Sequence, residues 1–265
     1  MTIIRRDGCV MNFDRSKIFE AIEKAWLSSC ELSTKEELEN YRNYLRVMAE
    51  LDWPAFFEYE PYFHKTILQC VNDHDMDRLL LVLYERFDSQ YLRDLERRLY
   101  ASPVIGDQRR QPICEAFRLY RHKYYFGAGA IFVDQMEGII KDISEYVSRY
   151  KVGYSERTLA LVESRYKVKA RSEKGQVIMA LLEARESSRI LGEFDYMIGY
   201  FRMKFFKNDM TPEELEENAN RHGVNHGNQC NYGTREHALR LILCLDALGY
   251  VAEILARNEL TEEVG

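Results

Sequence analysis

The stretch DMDRLLLVLYERFDSQYLRDLERRLY, residues 75–100, decides the fold class. Its apolar residues return at helical intervals: Leu79, Leu83 and Phe87, then Tyr91, Leu95 and Leu99, with Arg, Asp and Glu between them. A stripe of that period buries one side of a helix and leaves the other wet, so the stretch reads as one long amphipathic helix or a helix pair. The rest of the composition agrees. Only 14 Gly and 5 Pro punctuate 265 residues, whereas an all-β sandwich would need a turn signal roughly every ten residues. With 46% hydrophobic and 30% charged residues, the chain is globular and neither disordered nor low in complexity. An all-α fold is expected, at a length where one large domain and two smaller ones are both open.

Working outward towards the N-terminus, PYFHKTILQCVNDHD (61–75) carries another helix, Trp53-Pro54 breaks the one before it, and Ser33-Thr34 ahead of Glu36-Glu37 caps that one's start. Residues 1–12 read as a short β-hairpin turning at Arg6-Asp7-Gly8. On the C-terminal side, ASPVIGDQRRQP (101–112) is the clearest linker, with Pro103, Gly106 and Pro112 in ten residues. It divides the chain into a helical N-terminal region, 1–100, and a helical domain, 113–265. Within the latter, residues 113–150 predict two helices turned near Gly127–Gly129. Helices continue through 177–206, Thr211-Pro212 opens a further one, and an apolar helix runs from about Thr234 to Ala256.

No apolar run approaches the ~18 residues of a membrane span and MTIIRRDG lacks the apolar core of a secretory signal, so a cytoplasmic protein without a membrane partner is expected. The six cysteines form no CxxC pair and read as small buried hydrophobes. A net charge of −6 argues against a surface basic throughout. One stretch runs the other way: residues 149–174 hold eight Lys or Arg against three Glu. Lys167, Lys169 and Arg171 are its candidate RNA-backbone contacts, the alternative being an ordinary solvated helix face.

The candidate chemistry lies in NRHGVNHG, where Arg221 and His226 form an Arg-x4-His pair with the polar residue His222 beside Arg221. The surroundings, Asn220-Arg221-His222, His226-Gly227 and Tyr232-Gly233-Thr234 opening a long apolar helix, resemble the C-terminal signature of HEPN domains, in a branch of abortive-infection-like bacterial proteins. The likeness continues upstream through Glu115-Ala116, Tyr124 or Tyr125 and Gln135–Ile140, and more loosely to Trp53, covering about 53–258. It implies a HEPN-like helical bundle, a homodimer, and a metal-independent ribonuclease acting in phage defence or a toxin–antitoxin-like system, with an RNA substrate and an antitoxin or regulatory partner. HEPN modules that only bind nucleic acid, a nucleotide or a protein are the alternative.

These residue types suit RNA cleavage. Attack of a ribose 2′-OH on its own phosphate needs a base near neutral pH, for which histidine is the natural group. The phosphorane gathers negative charge, which a forked, always charged guanidinium stabilises. No metal or other cofactor is expected, because the nucleophile is built into the substrate. Glu137, in an otherwise apolar stretch, orients a histidine, pairs with Arg221 or serves the surface, and Asn220 and Tyr232 are further supports. Duller roles compete: Arg221 pairing with Glu216 or Glu217, and His226 capping a helix. His222, His226 and Cys230 have a zinc-capable spacing, although Gly223 and Gly227 interrupt the helix it needs. The aromatics Tyr120, Tyr124, Tyr125 and Phe126, among Arg118, Arg121 and Lys123, either stack bases or pack in the core.

A second resemblance lies at the start. IIRRDGCVMNFDRSKIFEAIEKA (3–25) is similar to the opening of an ATP-cone, the nucleotide-binding module that regulates ribonucleotide reductases. It stops near Trp26, and ELSTKEELENYRNYLRVMAEL (31–51) does not continue it. It implies nucleotide binding by a hairpin within residues 1–26.

Overall fold

The computed structural model describes residues 2–4, 10–12, 35–54, 60–149, 169, 175, 197, 199–208 and 210–262. Among these the protein is helical almost throughout, in keeping with the all-α expectation. Two short strands, β1 (Thr2–Ile4) and β2 (Val10–Asn12), pair antiparallel with Thr2 opposite Asn12. The turn expected at Arg6-Asp7-Gly8 and most of the basic stretch 149–174 lie outside the described residues.

The 75–100 stripe is a helix pair. After α1 (Lys35–Glu50) and α2 (Pro61–Asn72) come α3 (Met76–Arg86) and α4 (Ser89–Ala101). Each member of the pair starts on an aspartate cap: Asp75 accepts from the main-chain N–H of Arg78 at 3.0 Å, and Asp88 from those of Gln90 and Tyr91 at 2.8 and 2.9 Å. Leu79, Leu83, Leu95 and Leu99 are all buried, so the apolar stripe does face the core.

The segment expected as a linker is packed. Val104 and Ile105 are buried, and residues 107–109 form one 3₁₀ turn leading into α5 (Arg110–Arg121). The Gly106 N–H and the Arg109 guanidinium both donate to Asp142, on α6 (Tyr125–Arg149), at 2.8 and 2.6 Å. Buried side chains from both sides of 101–112 belong to one hydrophobic cluster.

The turn expected near Gly127–Gly129 falls earlier, at His122–Tyr124, with Lys123 at φ 65°. Gly127 and Gly129 lie inside α6, and the second has a packing role. A Cβ at Gly129 would stand 3.1 Å from the Tyr232 ring, so the missing side chain lets Tyr232 lie close against the helix.

Beyond Tyr200 the chain makes one π-helical turn (Phe201–Phe205), then α7 (Pro212–Glu217), α8 (Arg221–Asn225) and the long α9 (Arg235–Glu262). Thr211 and Glu214 close a capping box around Pro212, and the Thr234 hydroxyl accepts from the N–H of His237 at 3.1 Å to start α9. α9 packs along α6 and touches α4, α5 lies against both α4 and α6, and α2 bridges α1 and α3. The site helix, α8, rests on α6.

Candidate functional site

α8 is five residues long and would not persist alone, since isolated helices of a single turn do not offset their nucleation cost. Buried polar side chains fix it. Asn220, 1% exposed, caps it: its Oδ1 accepts the Gly223 N–H at 2.9 Å. Its Nδ2 donates to the carbonyls of Lys204, Phe205 and Lys207, at 2.6, 3.2 and 3.0 Å. Those carbonyls end the π-helical turn and have no helical partner ahead of them, so one side chain satisfies the start of one helix and the end of another. Gln229, also buried, accepts from the Asn220 N–H at 3.0 Å and donates to the carbonyls of Leu215 and Asn218 at 2.6 and 2.8 Å.

A second anchor reaches out from α9. Arg240, 5% exposed, donates to Asn218 Oδ1 and to the Asp52 carbonyl, both at 2.9 Å, and to Glu236 at 2.6 Å, while its guanidinium lies 4.5 Å from the Trp53 ring centroid. Asp52 sits at φ 57°, a conformation uncommon outside glycine, and Lys204 holds its carboxylate. The segment before α8 is thus clamped to the end of α1 and to α9.

On this support stand the candidate residues. Arg221 makes a two-pronged ion pair with Glu137 of α6, Nε to Oε2 at 2.8 Å and Nη2 to Oε1, with each side chain about one fifth exposed. Its guanidinium also lies 5.8 Å from the centroid of Phe206. Glu137 is thus one of the partners considered for Arg221 that the fold brings to it. The His222 and His226 rings stack one turn apart, centroids 5.8 Å and planes 13° from parallel. His226 is exposed and ends α8, its N–H donating to the His222 carbonyl at 3.1 Å. Gly227 follows at φ 71°.

Tyr232 packs edge-on to Phe126 of α6, centroids 5.2 Å apart, and so acts in the interface between α6 and the start of α9. Cys230 is exposed, and among the described residues no group of three His, Cys, Asp or Glu could hold a metal ion. Lys169 is exposed; Lys167 and Arg171 lie outside the described residues. Of the aromatics between α5 and α6, Tyr120 is buried, with its hydroxyl pushed up to about 12 by burial, and Tyr125 packs on it at 5.5 Å. Tyr124 and Phe126 remain more than half exposed.

Asn218, Gln229 and Arg240 escape a reading by motif, because each works through a tertiary hydrogen bond. The only local signal is the guanidinium inside the apolar run ALRLILCL, a charge that must be paired if buried. Among the described residues no helix is long and apolar enough to cross a membrane. No family model, curated protein or solved structure matches the chain.

Proposed function

We propose that the protein is a metal-independent endoribonuclease of the HEPN type, working as a homodimer and cutting RNA at an internal 2′-OH. One observation carries this reading: Arg221, His222 and His226 share a short helix held by buried polar side chains, with Glu137 fixing the plane of the Arg221 guanidinium. The all-α architecture and the site helix lying just ahead of the long α9 support the same family.

In this mechanism a histidine, His226 or its neighbour His222, takes the proton of the 2′-OH as that oxygen bonds to phosphorus. Arg221 stabilises the phosphorane oxygens. The 5′-oxygen then leaves with a proton from the second imidazole, giving a 2′,3′-cyclic phosphate and a 5′-OH. Five residues of helix turn through roughly 140°, so Arg221 and His226 of one copy point to different sides. A second copy across a two-fold axis completes the pair. Lys167, Lys169 and Arg171 hold the RNA backbone, and the setting is phage defence or a toxin–antitoxin-like system with an antitoxin or regulatory partner in the cytoplasm.

A second reading, a HEPN module that binds nucleic acid, a nucleotide or a protein without catalysis, is favoured by the ion pair itself, since Glu137 engages the guanidinium from within the fold. Incubation with total RNA and with tRNA in EDTA, beside His226→Ala, separates the two. The nuclease leaves cyclic phosphate ends in EDTA, spares DNA, and slows by roughly 10²–10⁴ in His226→Ala. Cleavage that needs a divalent metal, or that persists undiminished in the variant, removes these residues from the mechanism.

A further inference from the structure

The fold divides the aromatic residues at the corner between α5 and α6. Tyr120 and Tyr125 pack against each other at the core, whereas Tyr124 is 66% and Phe126 54% exposed. Phe126 is open to solvent without being loose. A Cβ on Gly233 would stand 2.1 Å from its ring, so the ring lies on bare main chain just before α9, and Tyr232 meets it edge-on. Glycine at 233 gives the ring its seat, and packing holds the ring there while half of it stays uncovered.

A second observation concerns charge and strain. The Tyr124 N–H donates to the Leu119 carbonyl and the Lys123 N–H to the Tyr120 carbonyl, both at 2.9 Å, which is the Schellman pattern of a helix end. Its left-handed position usually holds glycine, yet here it holds Lys123 at φ 65°, a strain that glycine would not carry. Tyr124 takes the next position, where an apolar side chain usually folds back on the last turn of the helix. It is left open instead. A strained lysine and an uncovered ring thus stand side by side where glycine and a packed residue would be more stable. Arg235, two residues beyond Gly233, adds a second exposed cation, its guanidinium 3.8 Å from the Tyr84 ring centroid. Neither Lys123 nor Arg235 has an ion-pair partner among the described residues, while Glu115 is taken by Arg118 and Glu236 by Arg240.

Exposed rings among unpaired cations suit a partner whose flat apolar faces are joined by anions. A second copy of the chain, meeting this patch across a two-fold axis, would set like charges against each other. A duplex offers phosphates but hides the faces of its bases in the stack. An unpaired strand offers both. The placement agrees with the reading of the chain as a ribonuclease, on which this inference rests. Phe126 and Glu137, the partner of Arg221, are eleven residues apart on α6, close to three turns, and so lie on one face about 17 Å apart. That is the length of about five nucleotides of stacked strand. We infer that Tyr124 and Phe126, with Lys123 and Arg235, form a stacking platform that holds unpaired RNA bases a few nucleotides from the Arg221 and His226 site.

The test is fluorescence anisotropy of the full chain with an end-labelled 2′-O-methyl RNA strand of mixed sequence and about 12 nucleotides, which no attack by a 2′-OH can cut. A strand of the same length with abasic sites, and the duplex with its complement, serve as comparisons. Saturable binding of the single strand, and binding of the other two weaker by at least roughly fivefold, is expected. Tyr124→Ser should weaken binding of the single strand by roughly fivefold or more, and so should Phe126→Leu, which retains an apolar cover over Gly233. Lys123→Gly should lower the salt slope by about one while raising the melting temperature, because it removes a phosphate contact and the left-handed strain together. Tyr62→Ser, at an 86% exposed tyrosine on α2, should leave binding unaltered. No saturable binding, equal binding of the abasic strand or the duplex, indifference to the Tyr124 and Phe126 changes, or an equal loss in Tyr62→Ser would each overturn the platform. A changed oligomeric state in Tyr124→Ser with RNA binding intact would overturn it too, making the patch an interface between copies. Because the probe cannot be cleaved, failure of the platform leaves the ribonuclease reading standing, and a chain that cuts no RNA can still be scored for the platform.

Discussion

Replacing Asn220 by alanine should destabilise the protein far beyond the loss of an ordinary helix cap. The cap alone, Oδ1 to the Gly223 N–H, contributes about 1 kcal/mol. The Nδ2 group has two hydrogens shared among the carbonyls of Lys204, Phe205 and Lys207, so its removal leaves about two carbonyls unsatisfied in a site 1% exposed. At about 1–3 kcal/mol for each buried group left unpaired, the total with the cap comes to roughly 3–7 kcal/mol. That is a large part of the ~5–15 kcal/mol by which natural domains are stable. Urea unfolding followed by far-ultraviolet circular dichroism measures the difference directly. Asn220→Asp sharpens it, because aspartate is as good a cap as asparagine yet donates nothing to the three carbonyls and brings a charge against them. Asn220→Asp should therefore be at least as damaging as Asn220→Ala. If the aspartate variant were as stable as the parent protein, or the alanine variant lost only about 1 kcal/mol, the link between the π-helical turn and α8 would be refuted.

Gly138→Ala should reverse the usual sign of a helix-interior glycine change. Propensity favours alanine by about 1 kcal/mol, but the new Cβ would stand 1.7 Å from the Arg109 guanidinium, which pairs with the buried Asp142, so a net loss of about 2 kcal/mol or more is expected by thermal melting. His237 predicts a pH dependence: burial, with the Arg240 charge beside it, holds its folded pKa below the unfolded value, so its contribution to stability is full above about pH 6.5 and is lost as pH falls towards the folded pKa. The fall in stability from pH 7 to 5.5 should accordingly be shallower in His237→Gln, which retains Glu236 and Arg240 beside the site; an identical slope would show that the ring does not titrate across this range. Changing Lys167, Lys169 and Arg171 to serine should weaken RNA binding and flatten its dependence on salt, since each lost phosphate contact releases fewer counterions. An unchanged slope in a filter-binding titration would return that stretch to the class of solvated helix faces.

The helix class was legible because the apolar period survives in the fold, and the same continuity hid the break. Leu83, Phe87 and Tyr91 keep a four-residue spacing straight across it, so periodicity alone does not distinguish one helix from two. Asp88 was the available sign, a capping residue with main-chain N–H groups two and three positions ahead of it. The glycines at 127 and 129 misled for a different reason. Glycine serves turns and close packing alike, and which one applies at Gly129 depends on Tyr232, more than a hundred residues away.

The charges inside α9 show where sequence reasoning stops. Arg240 and Asp246 stand out in an apolar run, and physics requires that each be paired or neutral if buried. The fold pairs Arg240 with Asn218 and Glu236, and Asp246 with Arg98 of α4 at 2.6 Å, while burial pushes the Asp246 carboxyl up against the pull of Arg98. The need for partners is a local property; their identity is a property of the packing. The same division governs the site. Arg221 and His226 carry the proposed chemistry by type and spacing, but the position of α8 is set by Asn218, Asn220, Gln229 and Arg240, whose roles exist only after α1, α7 and α9 have met. Substitutions in this polar clamp should therefore act through stability and the placement of α8. Substitutions at exposed His226 should act on chemistry with the melt unchanged, and that contrast is how a functional residue of α8 can be told from a residue that holds it in place.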